Sequence, residues 1–314
     1  SDLNQSNLFT SFFTGDSVNV VYIDQLNQIW CAFGKWKGAT YNYTTNYENK
    51  QIAMINEDGI HIKTFLSTED KTVITTFTQI NDVLYAGTWG QGLASVTTNN
   101  NQINISYYEN NSIASNVISD MLVDDHSNLY ICDGYQGGVA LARGTKGISR
   151  FDGTTWKRFN VKNSQLLSNN VYKMDKDHLN RKWFGTWDKG YTGWSDGVSV
   201  LNDENIDQPV WQNIRSGLLT TTIAEVKKND WNNDMWVVSS ILGINVINEN
   251  FQFSSPIYMS NLSTQDIQQI HFTNDKIFFG TVTKGINYWD SSSIPPSSIN
   301  HWKRPTPTQK LNEG

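Results

Sequence analysis

The sequence predicts an all-β fold, a single β-propeller of six blades with four antiparallel strands in each, on three observations. First, an aromatic anchor followed by small and β-branched residues recurs six times, at Trp30, Tyr85, Tyr130, Trp183, Trp236 and Phe278. Self-similarity at a period of about 40–50 residues marks propellers and related arrays. Second, a fuller motif surrounds the fourth anchor. It runs Leu167-Ser168-Asn169-Asn170-Val171, Met174-Asp175, Lys182-Trp183-Phe184-Gly185-Thr186 and Gly197-Val198-Ser199-Val200-Leu201, and closes on Trp211. Third, only 17% of the 314 residues are charged while 12 are Trp, and Asn, Thr, Ser and Gly are plentiful. That composition suits many short strands joined by polar turns, with large aromatic side chains supplying the core.

Each unit reads as four strands in order. The first carries Val and Ile, as in residues 20–24, 117–124, 171–175, 223–226 and 267–272. A polar turn follows, in which Asp24, Asp124 and Asp175 recur, and then the anchor strand, whose Gly or Ala allows close packing. The third strand opens with Gly92, Gly147, Gly197, Gly243 or Gly285, and the fourth is an outer strand with an aromatic, as at 156–159, 211–214 and 301–302. Such a sheet cannot bury both faces alone, and radial packing of blades solves this while leaving only short edges. The expected organisation is a lead-in at 1–16, the propeller at 17–303 and a tail at 304–314. Residues 8–13 and 301–302 compete for the strand that closes the last blade.

These units resemble the repeat of the two-component-regulator propeller family. That repeat reads roughly Ser/Leu-x-Asn-x-Val, an Asp after the first strand, a Leu-Trp-Ile-Gly-Thr-like strand and Gly-Gly-Leu. Residues 167–201 match best, 115–138 and 72–96 less fully, and the resemblance covers most of the chain. Propellers of that family often form the periplasmic sensing part of hybrid histidine kinases in gut and environmental Bacteroidetes. This sequence carries neither a kinase nor a membrane helix, and six repeats are fewer than the double propeller of those sensors.

A net charge of −6 argues against a general nucleic-acid binder, which presents a basic surface. No run of 18 apolar residues is present to span a membrane as a helix. The polar start at 1–7 fits a mature chain from which a targeting segment has been removed. Cys31 and Cys132 stand one and two residues past their anchors in the first and third units. Equivalent positions in non-adjacent blades lie beyond the ~7 Å Cα limit of a disulfide, so both are expected as buried free thiols.

No His-Glu-x-x-His, Gly-x-Ser-x-Gly, P-loop or dinucleotide fingerprint occurs. His126 and His178 fall in turns after the first strand, on the face opposite the long loops. Asp175-Lys176-Asp177 with Asn180 resembles a calcium loop but lacks its Gly and terminal Glu, so it reads as a hairpin turn. No metal or cofactor is expected. The sequons at Asn42, Asn104, Asn110 and Asn261 are no more than chance provides in so Asn-rich a chain.

The loops between second and third strands share a face with the blade-to-blade connections, and there the lengths are uneven. Insertions span residues 34–51, 133–146 and 187–196. They concentrate aromatics: Trp36, Tyr41, Tyr43 and Tyr47, then Tyr135, then Trp187, Tyr191 and Trp194, with Trp89 from a short loop. Loop aromatics pack on each other or meet a ligand. With Lys284, this rim holds seven basic residues against four acidic ones, on an acidic chain. The ligand-binding candidates are Trp36, Trp89, Tyr135, Trp187, Asp188, Lys189, Tyr191 and Trp194. The expectation is an extracytoplasmic, non-catalytic binding or scaffold domain for a glycan, protein or peptide, tethered as a lipoprotein or lying in the periplasm. Two alternatives stand beside it. One is a carbohydrate-active lyase or glycoside hydrolase, whose paired carboxyl groups would come from Glu48, Asp133, Asp188 and Asp196. The other is the sensor fragment of a larger receptor.

Overall fold

The computed structural model describes residues 18–36, 47–55, 61–65, 73–100, 102–108, 113–134, 145–187, 197–239, 242–258, 267–281, 285–290 and 302–303. They form six four-stranded antiparallel sheets, the blades of a six-bladed β-propeller, with no helix among the described residues. The chain divides into two compact units, Ser1–Asn110 with Asn116–Ile118, and Asn111–Ser115 with Ser119–Gly314.

The first unit holds two blades. One is β1 (Val18–Ile23), β2 (Ile29–Trp36), β3 (Tyr47–Ile55) and β4 (His61–Phe65). The next is β5 (Val73–Ile80), β6 (Val83–Trp89), β7 (Leu93–Asn99) and β8 (Gln102–Tyr107). The second unit holds four. The third blade is β9 (Asp120–Val123), β10 (Leu129–Asp133), β11 (Gly147–Phe151) and β12 (Trp156–Phe159). The fourth is β13 (Val171–Lys176), β14 (Lys182–Thr186), β15 (Val198–Asn202) and β16 (Val210–Ile214). The fifth is β17 (Ile223–Lys228), β18 (Met235–Ser239), β19 (Gly243–Ile247) and β20 (Ile257–Tyr258). The sixth is β21 (Ile267–Phe272), β22 (Lys276–Thr281), β23 (Gly285–Asp290) and β24 (Trp302–Lys303). Trp302–Lys303 therefore supplies the fourth strand of the last blade, while 8–13 lies outside the described residues.

Every anchor falls on the second strand of its blade, and in three blades that strand is buried on both faces. β10, β14 and β18 are buried at all five positions. Alternate residues of one strand feed the cores on its two sides. Trp183 thus packs with Ile223, Val226 and Val237 of the next blade, while Phe184 packs with Tyr130, Cys132 and Ile148 of the previous one. Gly185 faces the first group, where an added Cβ would meet Ile223 Cγ2 at 2.7 Å and Val226 Cγ2 at 2.9 Å. The glycines opening β11 and β19, with Gly197 just before β15, have φ of +98°, +148° and +137°. A Cβ at any of them would lie 2.2–2.3 Å from a carbonyl oxygen of the outer strand.

The Asp turn has a concrete geometry. Asp24 Oδ1 accepts the N–H groups of Leu26 and Gln28, and its Oδ2 accepts the Trp30 indole N–H at 2.9 Å. Asp177 does the same with Leu179, Arg181 and Trp183. The turn therefore belongs to Asp177; Asp175 lies two residues earlier and faces the next blade. Both oxygens of Asp177 are taken by N–H donors, as a hairpin turn requires. Asp124 has no indole to reach, because its anchor is Tyr130. Its Oδ2 instead takes Asn128 Nδ2 at 2.9 Å and pairs with Lys182 Nζ at 3.0 Å. Lys182, 1% exposed at the side chain, also bonds Asp203 at 2.8 Å, and Asp203 accepts the Tyr130 hydroxyl. Each charge in this buried group has a partner, the condition under which burial of charge is tolerated.

Cys31 and Cys132 are both free and buried. They face different ways. Cys132 shares a face with its anchor Tyr130, whereas Cys31 packs with Phe33 and Ala53, away from Trp30. The one-residue difference past the anchor puts them on opposite faces of their sheets.

Candidate functional site

The long loops are rooted on closed bases. Thr186 Oγ1 donates to Gly197 O at 2.8 Å and accepts Gly197 N–H at 3.0 Å, joining the described residues on either side of the insertion. Asp133 Oδ2 accepts Lys146 N–H at 2.6 Å, joining the described residues on either side of that insertion. Burial drives the Asp133 carboxyl up to about 7, against the pull of Lys146 N–H and Ser115. In the first blade, part of the expected 34–51 insertion is strand: β2 runs to Trp36, which pairs with Tyr47 of β3. Trp36 is thus placed on a ladder rather than a loop.

The remaining candidates divide. Trp89 ends β6, half-buried, bridged to Val117. Trp187 is 5% exposed, with its ring edge-on to Tyr172 at 5.5 Å and packed among Ala224, Trp236 and Ile267. It is part of the core between blades, so it offers no open face. Tyr135, Asp188, Lys189, Tyr191 and Trp194 lie outside the described residues, as does the side chain of Glu48.

The second unit contains a group of charges on its first strands, next to Tyr172, whose ring meets Trp187. β13 carries a bulge between Val171 and Lys173, and β17 one between Ile223 and Glu225. A bulge re-aims the side chains that follow it. Lys173 and Glu225 come next in each strand, and Asp120 opens β9 opposite Cys132. Asp175 and Lys227, two residues further along, share their faces and pair at 3.2 Å. Two of the carboxylates join neighbouring strands. Asp120 Oδ2 accepts Met174 N–H at 3.0 Å, and Asp175 Oδ2 accepts Lys228 N–H at 2.9 Å.

The electrostatics of this group are strained in one direction. Burial pushes the Asp120 carboxyl up, and Lys173 and the backbone donors only partly offset it. Burial likewise pushes Glu225 up to about 7, with Lys173 pulling the other way. Burial works against the Lys173 ammonium, but Asp120 and then Glu225 outweigh it and hold it above the usual lysine range. Perturbed groups of this kind concentrate at functional sites. A first strand read only for its Val and Ile conceals them. The visible signal is a polar or charged residue two positions after a β-branched one: Ile118 and Asp120, Val171 and Lys173, Ile223 and Glu225, Ile267 and Gln269.

The described residues thus define a β-propeller of six four-stranded blades, with a charged group on the first strands of the third, fourth and fifth. No family model and no curated protein matches the sequence. Among solved structures the chain is similar to PorZ, an essential bacterial surface component of the type-IX secretion system of Porphyromonas gingivalis. The identity is 15% and the TM-score 0.60, over 87% of this chain and 40% of that one. It is also similar to a protein named as a gluconolactonase, at 10% identity and TM-score 0.53, over 88% and 92% of the two chains. The extracellular domain of the hybrid two-component system BT3049 of B. thetaiotaomicron is a further neighbour, at 17% identity and TM-score 0.43, over 87% and 45%. The chain spans less than half the length of PorZ and of the BT3049 domain. Likeness at these identities establishes the fold.

Proposed function

We propose that this chain is an extracytoplasmic binding domain, without catalysis of its own, that recognises a glycan or a protein or peptide through the aromatic loops of one propeller face. The observation that carries the reading is the rooting of those loops. The Thr186–Gly197 and Asp133–Lys146 bonds close the bases of two insertions that hold Tyr135, Tyr191 and Trp194, with Asp188 and Lys189 beside them. A closed base presents a loop at low entropic cost, and flat aromatic faces suit sugar rings or peptide side chains. The similarity to PorZ, a bacterial surface component, agrees with a location outside the cytoplasm. The lipid anchor belongs to this proposal as the way such a domain would be held at a surface.

A glycan and peptide array probed with the purified chain tests it. The expected result is selective binding that falls at least about tenfold in a Trp36→Ala, Tyr191→Ala, Trp194→Ala triple variant, about 1.4 kcal/mol or more. Trp187 is left out because truncating it would open the core. Binding that the triple variant leaves unchanged would remove the loop face from consideration.

A further inference from the structure

We propose that the first strands of the second unit hold a separate site for a free α-amino acid, with Lys173 taking the carboxylate and Glu225 the ammonium. The two side chains are unfilled in complementary ways. Glu225 is 7% exposed, and Oε1 accepts its own neighbour Val226 N–H at 2.9 Å. Among the described residues Oε2 has no hydrogen-bond donor, and neither lysine comes within 4.0 Å of the carboxylate. The Lys173 ammonium makes no hydrogen bond or ion pair to any described residue and lies 5.7 Å from the centre of the Tyr172 ring. Asp120 and Asp175, by contrast, are engaged with backbone N–H groups or with Lys227.

Charge selects the class of ligand. Three acidic groups, Asp120, Asp175 and Glu225, face two basic ones, Lys173 and Lys227. An anion alone would satisfy Lys173 but add negative charge beside Glu225. A cation alone would leave the Lys173 ammonium without an acceptor. A zwitterion whose two charges are a few bonds apart supplies both partners and changes the net charge by nothing. Buried charges want just such paired, hydrogen-bonded neighbours. Next to the group, Tyr172 meets the ring of Trp187, whose buried indole N–H has no acceptor among the described residues. This is a second polar group at the edge of the site, independent of the charges.

Thermal unfolding of the purified chain with each of the twenty L-α-amino acids, followed by calorimetric titration of those that raise the midpoint, tests the proposal. At least one is expected to raise the midpoint by a few degrees when present well above its Kd. On the unmodified protein, the methyl ester and the N-acetyl derivative of that amino acid should each bind at least about tenfold more weakly, since each removes one charge. Lys173→Met and Glu225→Gln should weaken binding by a similar factor. No shift with any amino acid, or equal binding of either derivative, would overturn the proposal. The derivative comparison stands even if a variant folds poorly. The site is distinct from the aromatic loops, so the array result and this one can fail separately.

Discussion

Burial acts on single carboxyl groups here with opposite outcomes, and the number of hydrogen-bond donors around each decides which. Asp124 is buried too, yet Asn128 and Lys182 supply so many donors that its pKa falls below the ordinary aspartate value. Asp133 has fewer, and burial wins, raising it to about 7 from 3.8. The consequence for stability follows from the sign. A carboxyl whose pKa is higher folded than unfolded holds its proton longer in the folded state. Its contribution is complete below the unfolded value and is lost as pH rises through about 7. At 4% exposure the loss amounts to as much as about 4 kcal/mol. Asp133→Asn keeps an oxygen for Lys146 N–H but cannot ionise. Urea denaturation of the variant should show a flatter stability profile between pH 4 and 8 and a gain over the parent at the alkaline end. Identical profiles would show that Asp133 is ionised at little cost.

At the scale of the strand, one residue type fixes how closely blades approach. Gly185 of β14 faces Ile223 and Val226 at distances no Cβ tolerates, whereas the corresponding Gly280 of β22 has its nearest neighbour at 3.6 Å. Gly185→Ala should therefore cost about 1–3 kcal/mol by overpacking, and Gly280→Ala much less. Paired chemical denaturation curves check the contrast, which equal losses would contradict. This level of organisation was readable in advance. Anchors and glycines sit where burial on both faces leaves few acceptable residues, so Trp183, Gly185 and Gly197 stand out in the sequence. The Asp turn was located in two units and displaced by two residues in the third, because Asp175 and Asp177 both flank the end of β13 and only their hydrogen bonds separate them. The charges on the first strands show in the sequence only as a polar or charged residue two positions after a β-branched one, which does not say what they face. Lys173 with Asp175, and Glu225 with Lys227, alternate with apolar residues, the pattern of a strand with one solvated face. The facing charges come from neighbouring blades, and the bulges that aim them leave no mark in a single sequence. Trp187 misled for the opposite reason: it follows the strand, where a loop residue is expected, but turns into the core.

Across the whole chain, each compact unit contains one cysteine, Cys31 in the first and Cys132 in the second. Burial raises the Cys31 thiol to about 11 and the Cys132 thiol well above the ordinary value. Neither should react with a thiol reagent in the native protein, since the thiolate is the nucleophile. Each should label when its own unit opens. Peptide-resolved labelling across a urea series checks this, and rapid native labelling of Cys132 would contradict its placement. The joints between blades of the second unit have a further property. The Asp120 carboxylate of one first strand grips the backbone of the next, and Asp175, two residues further along its own strand, grips the backbone of the first strand after that, across sequence separations of 54 and 53 residues. The two surfaces of such a joint differ, so at each of these two joints one blade gives and the next receives, in a head-to-tail sense. Because giver and receiver are different strands, the two joints fix the order of the third, fourth and fifth blades as well as holding them together.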